Sequence, residues 1–390
     1  MRRVLVTTAL LSLIPAAHAA ETQQWGALRV TLESCFRASS GTDSGCNVIL
    51  TNTSDKPLSV NLDSDRDTVS TDGQLATEPK ELILGGLSHP YSVQQIIPAG
   101  LSMRAQLNYN VTKGVRTLAQ VHVGDALFTN VPLQANLPDE PDVNAPGTPV
   151  TADANDQARV TFLDCLRKAS VVTCSFAVAN LTDENLRFNA ESSDDTWLLT
   201  NRGLVRTAND VTLAGETHPY SVSAMVPARR QLLNQLTFTL PETDTRVPYL
   251  QVNGFVFRSL PIAAAPGNRA LNAAGDLVDT YRLRDYTGKI DRCTYVRDGL
   301  RCDFTLTNRT DAAYRLNVGS NDIAVLTPDG RWFGVKSLTA GGETHPYSVG
   351  VPLTTNRPGT LSVLFDAPAG LTTLPFVNIG ALEFENVPVR

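Results

Sequence analysis

One pentapeptide, His-Pro-Tyr-Ser-Val, occurs three times in the sequence and contains the residues best suited to chemistry. The copies span residues 89–93, 218–222 and 345–349. Histidine can transfer a proton or ligate a metal near neutral pH, and tyrosine combines an aromatic face with a hydroxyl group. Because the copies recur at a nearly constant spacing, they predict one structural unit used three times.

The first three residues of each copy are the candidate site residues, and they fit either packing or ligand binding. They are His89, Pro90, Tyr91, His218, Pro219, Tyr220, His345, Pro346 and Tyr347. In an extended segment the histidine, tyrosine and valine share one face, and the proline favours the start of a strand or a sheet edge. We expect the tyrosine to bury its ring and to bond a backbone group, as a tyrosine corner does. The alternative is a surface site for a glycan, a carotenoid or a neighbouring envelope protein.

Neither a metal nor a cofactor is predicted. Each unit offers one motif histidine, and beyond the leader the only further histidine is His122, which is too few for a zinc or copper site. Asp63, Asp65 and Asp67 begin like a calcium loop, but the glycine and the final acid of an EF-hand are missing. We expect these three acids to lie in a solvated turn.

Two cysteines occur in each unit, on either side of a short loop between two predicted strands. The repeat therefore predicts pairing within each unit: Cys35–Cys46, Cys165–Cys174 and Cys293–Cys302. A metal site is the weaker alternative, because no paired Cys-x-x-Cys spacing occurs and an exported chain meets an oxidising compartment.

Alternating apolar and polar residues precede and follow these cysteines, which predicts half-buried strands. The second strand of each pair ends at Asn52, Asn180 or Asn308, each followed by x-Ser/Thr. This is the pattern of a glycan acceptor, but an aspartate follows closely in every unit, so we interpret the cluster as turn chemistry.

The order of elements in each unit resembles a known domain family. A strand is followed by Asn-Thr-Ser-Asp-Lys-Pro-Leu at residues 52–58, a glycine turn at Asp72-Gly73, a proline bend at Pro98 and a last strand containing Phe128. This order resembles the immunoglobulin-like domains of many exported bacterial proteins. The resemblance implies an all-β fold of three tandem immunoglobulin-like antiparallel β-sandwich domains joined by linkers, and it supplies no catalytic residues.

Six segments follow from the repeat and from the composition between the units. We predict a signal peptide at 1–20, repeats at 21–134, 157–262 and 284–390, a linker rich in proline and acids at 135–156, and a second linker at 263–283. We expect the repeats to be three separate beads on a chain.

The first residues favour export. Arg2 and Arg3 precede an apolar run that ends in small residues, as in a secretory signal, and no later segment is long and apolar enough to span a membrane. The periplasm, the cell envelope or the exterior is therefore the expected location. A formal charge of −6 disfavours nucleic acid as a partner.

No hydrolase, kinase or zinc-protease motif occurs in the sequence, so we expect no enzyme. The leading hypothesis is a non-catalytic exported binding or structural protein of a cell envelope, for which a surface-layer-associated subunit would be suitable. Its partner would be an envelope or surface-layer protein or a glycan. The alternative is a secreted accessory or inhibitory protein, or a hydrolase with a site at a domain junction.

Overall fold

A computed structural model describes residues 21–38, 42–72, 76–135, 141–192, 195–263, 270–273, 275–355 and 357–390. The predicted signal peptide lies outside the described residues. The chain is all-β, with three successive groups of sheets that follow the three repeats. The expected tandem β architecture is therefore confirmed.

The described residues of the first repeat form twelve strands. They are β1 (Glu21–Trp25), β2 (Leu28–Arg37), β3 (Asp43–Asn52), β4 (Leu58–Asp63), β5 (Val69–Ser70), β6 (Ala76–Thr77), β7 (Glu81–Leu84), β8 (Leu87–His89), β9 (Ser92–Ile97), β10 (Ser102–Asn110), β11 (Thr117–Val123) and β12 (Ala126–Gln134).

The second repeat has the same series of strands. They are β13 (Ala152–Ala154), β14 (Ala158–Lys168), β15 (Val171–Asn180), β16 (Leu186–Glu191), β17 (Trp197–Leu199), β18 (Val205–Thr207), β19 (Asp210–Leu213), β20 (Glu216–His218), β21 (Ser221–Val226), β22 (Gln231–Thr239), β23 (Arg246–Val252) and β24 (Phe255–Ala263).

The third repeat replaces two of these strands by one long strand, β30. Its elements are β25 (Thr280–Arg282), β26 (Tyr286–Val296), β27 (Gly299–Asn308), β28 (Tyr314–Gly319), a 3₁₀ turn (Ser320–Asp322), β29 (Ile323–Leu326), β30 (Trp332–Ala340), β31 (Glu343–His345), β32 (Ser348–Leu353), β33 (Gly359–Phe365), β34 (Thr373–Ile379) and β35 (Leu382–Pro388).

The first two repeats share one strand order. In the first it is β6-β5-β11-β12-β2-β3-β10-β7-β8, with β1 added beside β2 and a separate ribbon of β4 and β9. Neighbouring strands are antiparallel except β12 and β2, which run parallel and pair Leu133 with Cys35. The second repeat repeats this order from β18 to β20, including the parallel pair of β24 and β14.

Alternation along the strands supplies the core. In β4, for example, Val60 and Leu62 are buried while their neighbours face outward. The aromatic residue of each last strand is fully buried: Phe128, Phe257 and Phe384. Burial of a side chain of this size contributes about 2–3 kcal/mol, so these residues are central to the stability of each repeat.

Two compact units emerge from the contacts: Met1–Asn144 with Arg202–Leu204, and Ala145–Asn201 with Val205–Arg390. Inside the second unit, Leu326 and Phe376 of the third repeat belong to the buried cluster of the second repeat. These two repeats therefore share apolar packing, and the expectation of separate beads is wrong for them.

Both predicted linkers contain short strands. Ala152–Ala154 pairs with β14, and Thr280–Arg282 pairs with β26. The ends of the segments 135–156 and 263–283 are thus parts of the sheets that follow them. Three residues are too few to display a period of two, which explains why the sequence did not reveal these strands.

An asparagine clamp occurs once in each compact unit. In the second, the Asn272 side chain accepts from Gln231 N at 2.9 Å and donates to Gln231 O at 2.9 Å, while Leu233 N donates to Gly330 O. In the first, Asn144 bonds Ser102 N and O in the same way. Each clamp satisfies backbone groups of a residue that pairs with one neighbouring strand but lies beyond the end of the other.

Candidate binding site

Each pentapeptide joins a short strand of the large sheet to a strand of the separate two-stranded sheet. We call residues 89–92, 218–221 and 345–348 the tyrosine tips. Every tip lies between a three-residue strand that ends at its histidine and a six-residue strand that begins at its serine. The second of these strands pairs with a single partner to form a two-stranded ribbon.

The backbone of each tip is held by the same hydrogen bond. The tyrosine carbonyl accepts from the backbone N–H of a serine that follows the neighbouring ribbon strand, at 2.8, 2.8 and 2.7 Å. The three serines are Ser64, Ser192 and Ser320. In the second tip Ser192 Oγ also donates to Pro219 O.

Histidine contributes to this turn through one ring nitrogen. Nδ1 of His89 accepts from Tyr91 N at 3.3 Å, and Nδ1 of His218 accepts from Tyr220 N at 3.2 Å. The acceptor role of Nδ1 assigns the proton of the neutral ring to Nε2. In these two tips the exposed imidazole is therefore left with an N–H donor.

The tyrosine side chains point into solvent. Their exposed fractions are 71% for Tyr91, 74% for Tyr220 and 79% for Tyr347. The expectation that these rings are buried is wrong. The valine that follows in each pentapeptide supplies the packing instead, since Val93 and Val349 are buried and Val222 packs partly buried against the core.

Histidine and tyrosine form an open pair of rings at the surface. The ring centroids of His89 and Tyr91 are 6.1 Å apart with an interplanar angle of 63°, and those of His218 and Tyr220 are 5.9 Å apart at 56°. Such tilted rings leave one aromatic face, a phenol hydroxyl and an N–H donor available to a ligand.

The predicted disulfides are present, and they lie inside the sandwich. Cys35–Cys46, Cys165–Cys174 and Cys293–Cys302 each join directly opposed residues of neighbouring antiparallel strands, and all six cysteines are buried. A β-bulge precedes the first cysteine of every pair. Three such bridges are typical of a non-cytoplasmic protein.

The asparagines that end the second core strand have the turn role predicted for them. In the second repeat, Asn180 Nδ2 donates to Glu184 O and Val226 O, and Oδ1 accepts from the N–H and hydroxyl of Thr182. Asn52 and Asn308 make the corresponding bonds. Each amide therefore ties a turn to the ribbon strand beside it.

Asp67 departs from the expected solvated turn. It is fully buried, and its carboxylate accepts from Gly124 N and Asp63 N, while Tyr109 donates its hydroxyl to the Asp67 backbone oxygen. Burial raises the pKa of Asp67, although these N–H groups act in the opposite direction. Its main partner is far away along the chain, so the local sequence carries no signal of this role.

Among the described residues, no helix is long and apolar enough to cross a membrane. In the same part of the chain, no three potential metal-ligating residues of the His, Cys, Asp and Glu types come together. The three copies of the tyrosine tip are a repeated feature that offers side chains to solvent. Neither the models of known protein families nor the curated proteins give a match to this chain.

Proposed function

We propose that the chain is a non-catalytic exported binding protein of a bacterial cell envelope and that the tyrosine tips contact its partner. The observation that supports this proposal most strongly is the exposure of three identical tyrosines on a backbone held by the same hydrogen bond. That hydrogen bond uses only backbone atoms, so it does not require tyrosine. The identity of the side chain is better explained by an external contact.

Tyrosine suits such a contact. It offers a large, rigid surface with few rotatable bonds and a hydroxyl at its end, and it is enriched at the energetic centres of protein interfaces and in antibody loops. Because its backbone is fixed in the free protein, each tip would lose little conformational freedom on binding.

Three linked tips also allow tight attachment by weak individual contacts. Once one tip is bound, the others are confined near the same surface, and linkage of this kind raises overall affinity by about 10²–10⁴-fold. An envelope surface that presents many copies of the same binding group would allow all three tips to bind at once. The buried disulfides are consistent with service outside the cytoplasm.

The test is sedimentation of the chain with envelope fragments from the producing bacterium. The chain would begin at Glu21 and carry its disulfides, and it would be compared with the triple variant Tyr91→Ala, Tyr220→Ala and Tyr347→Ala. We expect the unaltered chain to sediment with the fragments and the triple variant to stay in solution.

A matched control changes one other exposed apolar residue in each repeat. Leu127, Val171 and Val296 are exposed by 39%, 39% and 37%, and none lies in a tip. Their triple alanine variant should sediment like the unaltered chain. Absence of the unaltered chain from the pellet, or equal sedimentation of a folded tyrosine variant, would contradict the proposal.

A further inference from the structure

We infer that the tyrosine tips bind an uncharged polysaccharide with a repeating sugar unit; this inference rests on the proposed function. The inference is based on a comparison of the exposed residues around the three tyrosines. A residue that recurs at an exposed position in all three repeats is part of a shared site, whereas one that varies is not required by a common ligand.

Besides the histidine and proline of each tip, the constant exposed neighbours are polar. Directly after each tyrosine, the ribbon strand begins with an exposed serine, which pairs with the last residue of the opposite strand. An exposed asparagine lies two residues before that last residue. The pairs are Ser92 with Asn61, Ser221 with Asn189, and Ser348 with Asn317. The serine and asparagine of each pair therefore share the exposed face of their ribbon, and the serine directly follows the exposed tyrosine.

Apart from the exposed proline of each tip, the apolar neighbours vary in type. Ile96 and Met225 occupy corresponding exposed positions in the first two ribbons, and an exposed proline, Pro352, stands there in the third. Leu87 is exposed before the first tip, where the other repeats have Glu216 and Glu343. The apolar surface common to the three tips is therefore a ring, a proline and one ribbon position, which is narrow for the apolar core of a protein interface.

The charge around the tips disfavours an anionic polymer. Residues 85–97, 214–226 and 341–353 contain no lysine or arginine, and the whole chain has a formal charge of −6. The opposite ribbon strands carry Arg187 and Arg315 in the second and third repeats, but Ser59 occupies that position in the first, so no cation is constant among the three ribbons. Recognition of phosphate or carboxylate groups relies on such cations, arginine above all. An uncharged polymer avoids this requirement.

The remaining chemistry matches a sugar. The C–H face of a pyranose ring is apolar and can stack on an aromatic face, while its rim of hydroxyls needs donors and acceptors. The tyrosine ring, its hydroxyl, the serine and asparagine side chains and, in the first two tips, the histidine Nε2–H provide these groups. Three sites with the same ring, hydroxyl and amide on one chain fit a ligand that offers the same sugar repeatedly, because linked sites gain affinity only when they can be filled together.

The experiment uses three materials from one envelope preparation: an uncharged polysaccharide pool and an anionic pool, both treated with protease and separated by anion exchange, and the extracted envelope protein. Binding of the immobilised chain to each would be followed by interferometry. We expect binding to the uncharged pool. One Tyr→Ala change should weaken it by about tenfold and the triple change by more than about a hundredfold.

The triple Tyr→Phe variant sharpens this test, because it keeps the stacking faces and loses only the hydroxyls, so it should bind more weakly than the unaltered chain but more tightly than the triple alanine variant. The triple variant of Leu127, Val171 and Val296 should bind like the unaltered chain. Binding to the protein or to the anionic pool alone, or binding to the uncharged pool that ignores the tyrosines, would overturn the inference. If whole envelopes bind through the tyrosines and the uncharged pool does not, the inference fails while the proposed function stands.

Discussion

The cysteine pair and the tyrosine tip are both repeated three times, yet they occupy opposite environments. All six cysteines are buried between strands, whereas the three tyrosines are exposed by 71%, 74% and 79%. A constant buried pair is explained by the fold itself, since it closes a strand pair and fills space. A constant exposed ring stabilises the fold little, so its recurrence points to something outside the molecule.

Loss of a disulfide should have the largest effect on stability. Changing Cys165 and Cys174 together to alanine releases a short loop in the unfolded chain and should lower the free energy of unfolding by about 2–3 kcal/mol. Urea unfolding of the chain from Glu21 onward measures this, with binding to envelope fragments assayed below the transition. An unchanged free energy of unfolding would contradict the structural role of the disulfide. Loss of binding by the folded variant would contradict the claim that the disulfide serves stability and the tyrosine tips serve binding.

Removal of a buried asparagine should cause the next largest loss in the free energy of unfolding. Asn180→Ala leaves the carbonyl groups of Glu184 and Val226 without their amide donor and should cost about 1–3 kcal/mol. Asn189→Ala is the matched control, because Asn189 is exposed in the same repeat. Unfolding of both variants in urea gives the comparison, and equal midpoints would refute the role assigned to the Asn180 amide.

The contact between the second and third repeats, inside the second compact unit, can be tested by changing two glycines. Gly330 and Gly254 have φ angles of 79° and 82°, but a Cβ at Gly330 would lie 2.7 Å from Leu233 N, while none of the surrounding atoms lies within 4 Å at Gly254. Gly→Ala should therefore incur the left-handed strain at both sites, with an additional loss of about 1–3 kcal/mol at Gly330. Thermal melting of the two variants measures the difference, and equal losses would show that the close approach of Gly330 contributes nothing.

A smaller effect on stability is expected from protonation of Asp303, which follows Cys302, at low pH. Partial burial acts to raise the pKa of Asp303, but hydrogen bonds from Ser362 and Arg292 and the charges of Arg301 and Arg292 hold it below its ordinary 3.8. A depressed pKa means that the ionised carboxylate stabilises the fold above pH 3.8 and that this contribution disappears as the pH falls through the lowered value.

The Asp303→Asn variant should therefore have a lower melting temperature than the unaltered chain near neutral pH, and this difference should shrink as the pH is lowered toward about 2.5. The measurements extend to that pH because a carboxyl group ordinarily has a pKa of about 4 and must be protonated at the acid end. Melting temperatures measured across that range check this, with the exposed Asp311→Asn as a control. A difference that grows on acidification would contradict the direction of the shift.

Sequence alone was enough for the disulfides and the main strands but not for the tyrosine tips. The disulfides followed from two cysteines per repeat, and the strands followed from their alternation. Alternation fixes which residues share a face, but it does not tell which face meets the core, and where the chain passes from one sheet to another neither face needs to. Tyr91 was for that reason expected inside, where Val93 lies.

Other features depend on contacts between distant residues. Asp67 is buried because Gly124 N, supplied by a different hairpin, reaches its carboxylate. Leu326 and Phe376 join the core of the preceding repeat, although their own strands look like those of any sandwich. Local patterns describe one strand at a time, so such contacts have no local signature.

The most direct test of the central claim is the thermal stability of the triple variant Tyr91→Ala, Tyr220→Ala and Tyr347→Ala, measured alongside its binding to envelope fragments. Exposed side chains away from packed features change stability by no more than about 0.5 kcal/mol each. We therefore predict a melting curve close to that of the unaltered chain together with lost binding. A marked drop in melting temperature with binding retained would show that the tyrosines serve the fold and would contradict the account.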